Sequence, residues 1–201
     1  MRKLFLTAAL GLLLTACSTI NPTRHEGKDT LPQESKELVP VYREVVRQPF
    51  SVENVAKAVK EKKIIVIYMH SPYCHWCERM DQEVWAHPEI ATVVNKAYAF
   101  LDLEVSASQE NLQLFVKYLD LFQADPGIPL TIAIFPRISP EDESVMPEVI
   151  PTTMEEVDAL FASTLSLTWS GYSEPTEMYQ DFFRLGILYN RKFDAKQTHD
   201  E

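Results

Sequence analysis

Apolar positions fall into two kinds of pattern along this chain, and the order in which they come predicts its elements. Val52, Val55, Ala56 and Val59 recur at helical spacing behind Ser51, a residue that caps helices, so a helix is predicted from Ser51 to about Glu61. The segment from Lys63 to His70 holds the unbroken run Ile64-Ile65-Val66-Ile67-Tyr68-Met69, which predicts a buried strand. A helix is predicted from Cys74 to about Trp85, and His87-Pro88-Glu89-Ile90 restarts a turn that continues to Asn95. Ala97 to Val105 reads as a second strand, and Ser108 to Phe122 as a helix with the stripe Leu112, Phe115, Val116 and Leu119. Leu130–Phe135 and Leu165–Ser170 are further strands, and a last helix runs from about Pro175 to Arg191. Trp85, Phe115, Phe135 and Phe182 are the expected core aromatics. Helices alternating with strands, then two strands and a closing helix, describe an α/β sandwich whose mixed central sheet is flanked by helices.

The first forty residues follow neither pattern. Arg2 and Lys3 precede the apolar stretch Leu4 to Leu14, which is too short to span a bilayer comfortably and reads as a secretory signal. Leu14-Thr15-Ala16-Cys17 resembles the lipobox of bacterial lipoproteins, in which the Cys is lipidated and becomes the new N-terminus. By that resemblance residues 1–16 are a signal peptide, Cys17 carries the lipid, and Ser18 favours the outer membrane. The alternative is an ordinary signal peptide with Cys17 lost or unmodified. Residues 17–40 are polar and aperiodic and read as a flexible tether, 41–191 as the folded domain and 192–201 as a polar tail.

Composition supports a folded domain, with 46% hydrophobic and 10% aromatic residues. The formal net charge is -10, and losing Arg2 and Lys3, with no acid before Cys17, makes it -12. Such a surface argues against nucleic acid and against docking on anionic headgroups, so membrane attachment would rest on the acyl chains.

The cysteines carry the chemistry. With Cys17 assigned to lipid, the remaining two of three are Cys74 and Cys77, a pair for exchange or for metal rather than a disulfide framework. A strand that delivers Cys74 to the first turn of a helix sets its sulfur beside unpaired backbone N–H groups and the positive end of the helix dipole, which favours thiolate. Two residues between them let Cys77 sit one turn on, able to close a small disulfide and release whatever Cys74 has attacked. Zinc is the competing reading. His70, His75 and His87 are near in sequence, but a tetrahedral site needs four ligands and there is no second Cys pair, so no metal is expected.

Ser71-Pro72-Tyr73-Cys74-His75-Trp76-Cys77-Glu78-Arg79-Met80, then Glu83-Val84-Trp85, His87-Pro88-Glu89-Ile90 and Val94-Asn95, resembles the thioredoxin-related branch of bacterial envelope proteins. Gly127-Ile128-Pro129 is similar to the cis-proline segment that faces the dithiol in thioredoxins, and Gly171-Tyr172 to the Gly turn beside it. The resemblance spans about Ser51 to Arg191 and implies the thioredoxin fold. It implies Cys74 as nucleophile and Cys77 as resolving thiol, with His75 tuning the thiolate. Tyr73, Trp76, Ile128, Pro129 and Gly171 are implied to meet the substrate, Ile128 through its backbone edge. A trans Pro129 that merely starts a strand is the other reading.

Three departures from the family stand out. Where thioredoxins carry a buried acid six residues before the first Cys, this chain has Tyr68, so proton transfer from Cys77 needs another group, water or the substrate. Tyr68 and His70 share a strand face; either one supplies that relay or both are satisfied in the interior. Leu130 stands where many relatives have Thr, and residues 136–164 form an insert between the last two strands. Within it Thr152-Thr153-Met154-Glu155-Glu156 offers a capping box ahead of Val157, Leu160 and Phe161, giving a packed cap or a partner surface.

The expectation is therefore an envelope thiol-disulfide oxidoreductase, lipid-anchored and facing the periplasm. It would reduce disulfides of partner proteins, need no organic cofactor, and draw electrons from a membrane thiol relay. Two alternatives stay open: a thioredoxin-fold binding or assembly lipoprotein with a non-catalytic disulfide, and metal handling through the two Cys and a His.

Overall fold

The computed structural model describes residues 42–197. The signal, Cys17 and tether assignments therefore lie outside the described residues. Twelve segments follow in order: β1 (Arg47–Pro49), α1 (Val52–Lys60), β2 (Ile64–His70), α2 (His75–Met80), a π-helical turn (Asp81–Trp85), α3 (Pro88–Ala97), β3 (Tyr98–Glu104), α4 (Gln109–Leu121), β4 (Leu130–Phe135), α5 (Met154–Ala162), β5 (Leu165–Ser170) and α6 (Pro175–Gln197).

The strands form one sheet in the order β1-β3-β2-β4-β5. β1, β3 and β2 run parallel, while β4 is antiparallel to β2 and β5 to β4. β2 is central because its first six residues are all buried, a run that only a strand covered on both faces can satisfy. Alternation then divides it. Ile64, Val66 and Tyr68 join Trp85, Phe100 and Phe182 on the α3 and α6 side. Ile65, Ile67 and Met69 join Leu101, Tyr118 and Phe161 on the α1, α4 and α5 side.

Local chemistry explains most boundaries. Ser51, Ser108 and Thr153 each cap a helix by accepting a backbone N–H three residues on. Glu156 reaches back to the amide and hydroxyl of Thr152, and α5 buries Val157, Leu160 and Phe161 within the connection between β4 and β5.

Some expectations need correcting. On α4 the buried residue is Tyr118, with Leu114, Phe115 and Leu119 packed beside it; Leu112 and Val116 face solvent. Helical spacing alone left that stripe rotated, because hydroxyl-bearing Tyr118 is as large an apolar body as any residue it displaced. The last helix continues through the expected polar tail to Gln197. Strand β1 was not expected: three residues ending in Pro, paired along one edge among the described residues, carry too short a pattern to read. The expected helix to Trp85 is α only to Met80, and the π turn that follows carries Val84 and Trp85 into the core.

Candidate active site

β2 ends at His70, whose carbonyl accepts the amide of Val105 at 2.8 Å, and the chain then turns through Ser71-Pro72-Tyr73. Cys74 closes that turn by donating its amide to Ser71 O at 3.1 Å and becomes the N-cap of α2. Its sulfur does the capping: the amide of Cys77 donates to Cys74 Sγ at 3.1 Å. Cys74 and Cys77 are joined in a disulfide, with Cα atoms 5.2 Å apart. Cys74 is half-buried, whereas Cys77 is only 1% exposed. An N–H aimed at a sulfur at a helix start stabilises a thiolate once the bond is reduced.

Ile128 and Pro129 are joined by a cis peptide, and Ile128 O lies 3.5 Å from Cys74 Sγ. Pro129 is buried, and its carbonyl accepts the amide of Gly171 at 2.8 Å. Gly171 has φ +84, a conformation that side chains disfavour, and this lets the turn after β5 come alongside. The structure thus gathers Cys74, Cys77, Ile128, Pro129 and Gly171 at one end of the sheet. Leu130, in place of the family's Thr, is fully buried.

Around the dithiol lies an aromatic rim. Tyr73 is 90% exposed and Trp76 50% exposed, and His75 is exposed beside Trp76, with ring centres 5.6 Å apart. Trp76 also lies 5.9 Å from Tyr172. The guanidinium of Arg79 sits 4.3 Å from the Tyr172 ring centre and 5.6 Å from that of Trp76. It is held there by two hydrogen bonds to Glu83, at 2.9 and 3.1 Å, and Glu83 also accepts the Tyr172 hydroxyl. The Arg79 and Tyr172 contacts hold Glu83 below the usual carboxylate range. Burial together with Glu83 pushes the Tyr172 phenol up to about 12.

Behind Cys77 is a second constellation that spans four elements. The Tyr68 hydroxyl donates to Cys77 O at 3.3 Å, and its ring stacks on His70 at 5.0 Å. His70 Nε2 meets Asp102 at 2.9 Å. Arg47 of β1 bridges Asp102 at 3.1 Å and Asp81 at 2.6 Å, with its guanidinium 5.3 Å from the Tyr68 ring centre. Burial opposes the charges of Arg47 and Asp102, but the facing partners outweigh it. Arg47 is held above its ordinary value, and Asp102 below the carboxylate range by His70 and Arg47. Burial, and then the Asp81 carboxylate, drive the Tyr68 phenol far upward, so it serves as a donor and not as a base.

Sequence reasoning missed Arg47, Asp81 and Asp102 behind the dithiol, and Arg79 and Glu83 beside it. Asp102 had a signal, being the one acid within the apolar strand segment Tyr98–Leu103. Arg79 and Glu83 also had one, an i,i+4 charge pair, whereas Arg47 and Asp81 are ordinary surface-type charges whose partners lie far away in sequence.

A mixed sheet of this order, with a cysteine pair at the start of the helix after its central strand and a cis-proline facing that pair, defines a thioredoxin-fold protein. The chain belongs to the Thioredox_DsbH family, described as a protein of unknown function, DUF255, whose family model matches residues 33–170. Among curated proteins it is similar to spermatogenesis-associated protein 20 of Rattus norvegicus, 23% identical over 92 residues. That alignment takes in 46% of this chain and only 12% of the relative's length. Among solved structures it is similar to a thioredoxin from Thermus thermophilus (15% identity, 71% of this chain and 87% of that one, TM-score 0.48). It is also similar to a DsbH oxidoreductase (12% identity, 59% of this chain and 87% of that one, TM-score 0.39).

Proposed function

We propose that this protein is a thiol-disulfide oxidoreductase of the bacterial cell envelope that reduces disulfides in partner proteins. The observation that carries the reading is the asymmetry of the pair: a half-buried Cys74 sulfur receives the amide of Cys77, whose own sulfur is shielded. The Cys74 thiolate attacks one sulfur of the partner's disulfide, forming a mixed disulfide and expelling the other sulfur as thiolate. Cys77 loses its proton and attacks Cys74 Sγ, closing the Cys74–Cys77 bond and releasing the second partner thiolate. Two electrons pass from the dithiol to the partner, and a thiol relay at the membrane must return them. His75, exposed in the first turn of α2, adds positive charge near the thiolate when protonated. The envelope location rests on the Leu14-Thr15-Ala16-Cys17 segment, with lipid on Cys17 holding the protein to the outer membrane.

The test is the reduction potential of the pair, measured by thiol tagging across glutathione and dithiothreitol buffers. A value near or below about -250 mV supports a reductase, and one above about -150 mV makes the protein an oxidant. If no Cys74–Cys77 disulfide forms anywhere in that range, exchange chemistry is wrong. Loss of palmitate labelling in Cys17→Ser tests the anchor.

A further inference from the structure

A groove of about 390 Å³ opens between α3 and α6 and shares no residue with the Cys74 site. One bank is formed by Glu89, Thr92, Val93 and Lys96 of α3, the other by Tyr179 and Phe183 of α6. The spacing i, i+3, i+4, i+7 sets the four α3 residues on a single stripe. The Thr92 hydroxyl is already bonded to Pro88 O at 2.8 Å, so the middle of that stripe asks for apolar contact. Across from it Phe183 is 47% exposed and stacks on Tyr179, with ring centres 5.8 Å apart. An aromatic ring left half in water beside such a groove is a surface that a partner covers.

The charges on the stripe select which partner. Glu89 lies in the first turn of α3 and Lys96 in the last, roughly 10 Å apart along the axis and too far to pair with each other. Neither forms an ion pair among the described residues. Thr92 and Val93 stand midway between them, so the stripe matches itself under a two-fold rotation: with two α3 helices antiparallel, each Glu89 faces the other copy's Lys96. That is the pattern of an isologous interface, in which one patch meets itself. A partner of a single sign of charge would satisfy one end and be repelled at the other. Two chains of formal net charge -10 repel at a distance, so what holds them is short-range contact. A patch built on two helices suits a dissociation constant on the order of micromolar.

We propose that the groove between α3 and α6 is a homodimer interface, closed by a second copy of this chain with Glu89 of each copy against Lys96 of the other. The apolar middle of the stripe and the Tyr179–Phe183 pair are covered between those two ion pairs. Because the groove and the dithiol share no residue, the inference stands apart from the oxidoreductase reading and survives its failure.

The experiment is sedimentation velocity of the full chain in detergent, over concentrations spanning the micromolar range. The wild type is expected to dimerise. Glu89→Lys and Lys96→Glu are each expected to weaken it by at least about tenfold, because each brings like charges together twice. Mixed in equal amounts, the two variants are expected to regain association close to that of the wild type, since every pair across the mixed interface is again of opposite sign. Loss of fold cannot produce that recovery. Should either swap fail to fold, Phe183→Ser on the exposed bank of α6 is the second variant and is expected to weaken the dimer as well. A carbodiimide that joins carboxylate to amine without a spacer should link Glu89 to Lys96 between isotopically light and heavy chains. A monomer throughout the range, or association that none of the three variants weakens, overturns the interface. So does a link from Glu89 or Lys96 to residues 17–41 of the same chain, which would give the groove to that segment instead.

Discussion

The hydroxyl of Tyr68 donates to the carbonyl of Cys77 at 3.3 Å, tying the central strand to the buried cysteine at the position where thioredoxins carry an acid. The phenol is pushed far up by burial and by Asp81, so this donor persists through the alkaline range. Tyr68→Phe keeps the ring and removes the donor, leaving the Cys77 carbonyl with the backbone N–H of Asp81 alone. A loss of about 0.5–1.5 kcal/mol is expected from urea unfolding of the oxidised protein.

The two thiols differ in access. Once the pair is reduced, iodoacetamide is expected to label Cys74 at least about tenfold faster than Cys77, because Cys74 is half-buried and served by an amide while Cys77 is enclosed. Peptide mass mapping of a time course reads the ratio, and equal labelling would contradict the roles given to the two sulfurs.

Acid stability follows from Asp102. Its folded pKa lies below the unfolded value of about 3.9. Its contribution is therefore complete above that unfolded value and is lost as pH falls through the folded one. Asp102→Asn is expected to lower stability at pH 7 by roughly 1–3 kcal/mol, discounted for partial exposure. The variant should also show a shallower fall below about pH 4. Urea midpoints measured from about pH 2 to 7 decide it.

Trp85 is the centre of the α3 and α6 side of the core, with ring centres of Phe100, Tyr68 and Phe182 at 4.8, 5.6 and 5.8 Å. Trp85→Ala is expected to cost about 3–5 kcal/mol in chemical unfolding. Its indole N–H has no hydrogen-bond partner among the described residues, so Trp85→Phe should cost clearly less.

Arg79 joins the rim to the turn after β5 through Glu83 and Tyr172. In Arg79→Ala the amides of Gly171 to Ser173 are expected to exchange hydrogen faster, read by mass spectrometry, while those of β2 keep their protection. Unchanged exchange at that turn would mean that Arg79 braces nothing.

By itself the sequence determined what depends on neighbours along the chain. The run Ile64 to Met69 dictates a buried strand, Ser51 and Ser108 start helices, and a Cys pair with two residues between its members at a helix start can close a disulfide, whatever else the chain does. The side chains that surround that pair were decided elsewhere. Arg47, Asp81, Asp102 and His70 come from four segments and meet only because β1, β2 and β3 pair in one register and the π turn swings Asp81 beneath them. The facing of α4 is the same kind of case, since spacing allows several stripes and the sheet selects the one led by Tyr118. Periodicity and capping act over a few residues and leave a local trace, whereas charge pairing and packing across the sheet depend on distances that exist only after the strands have found their order.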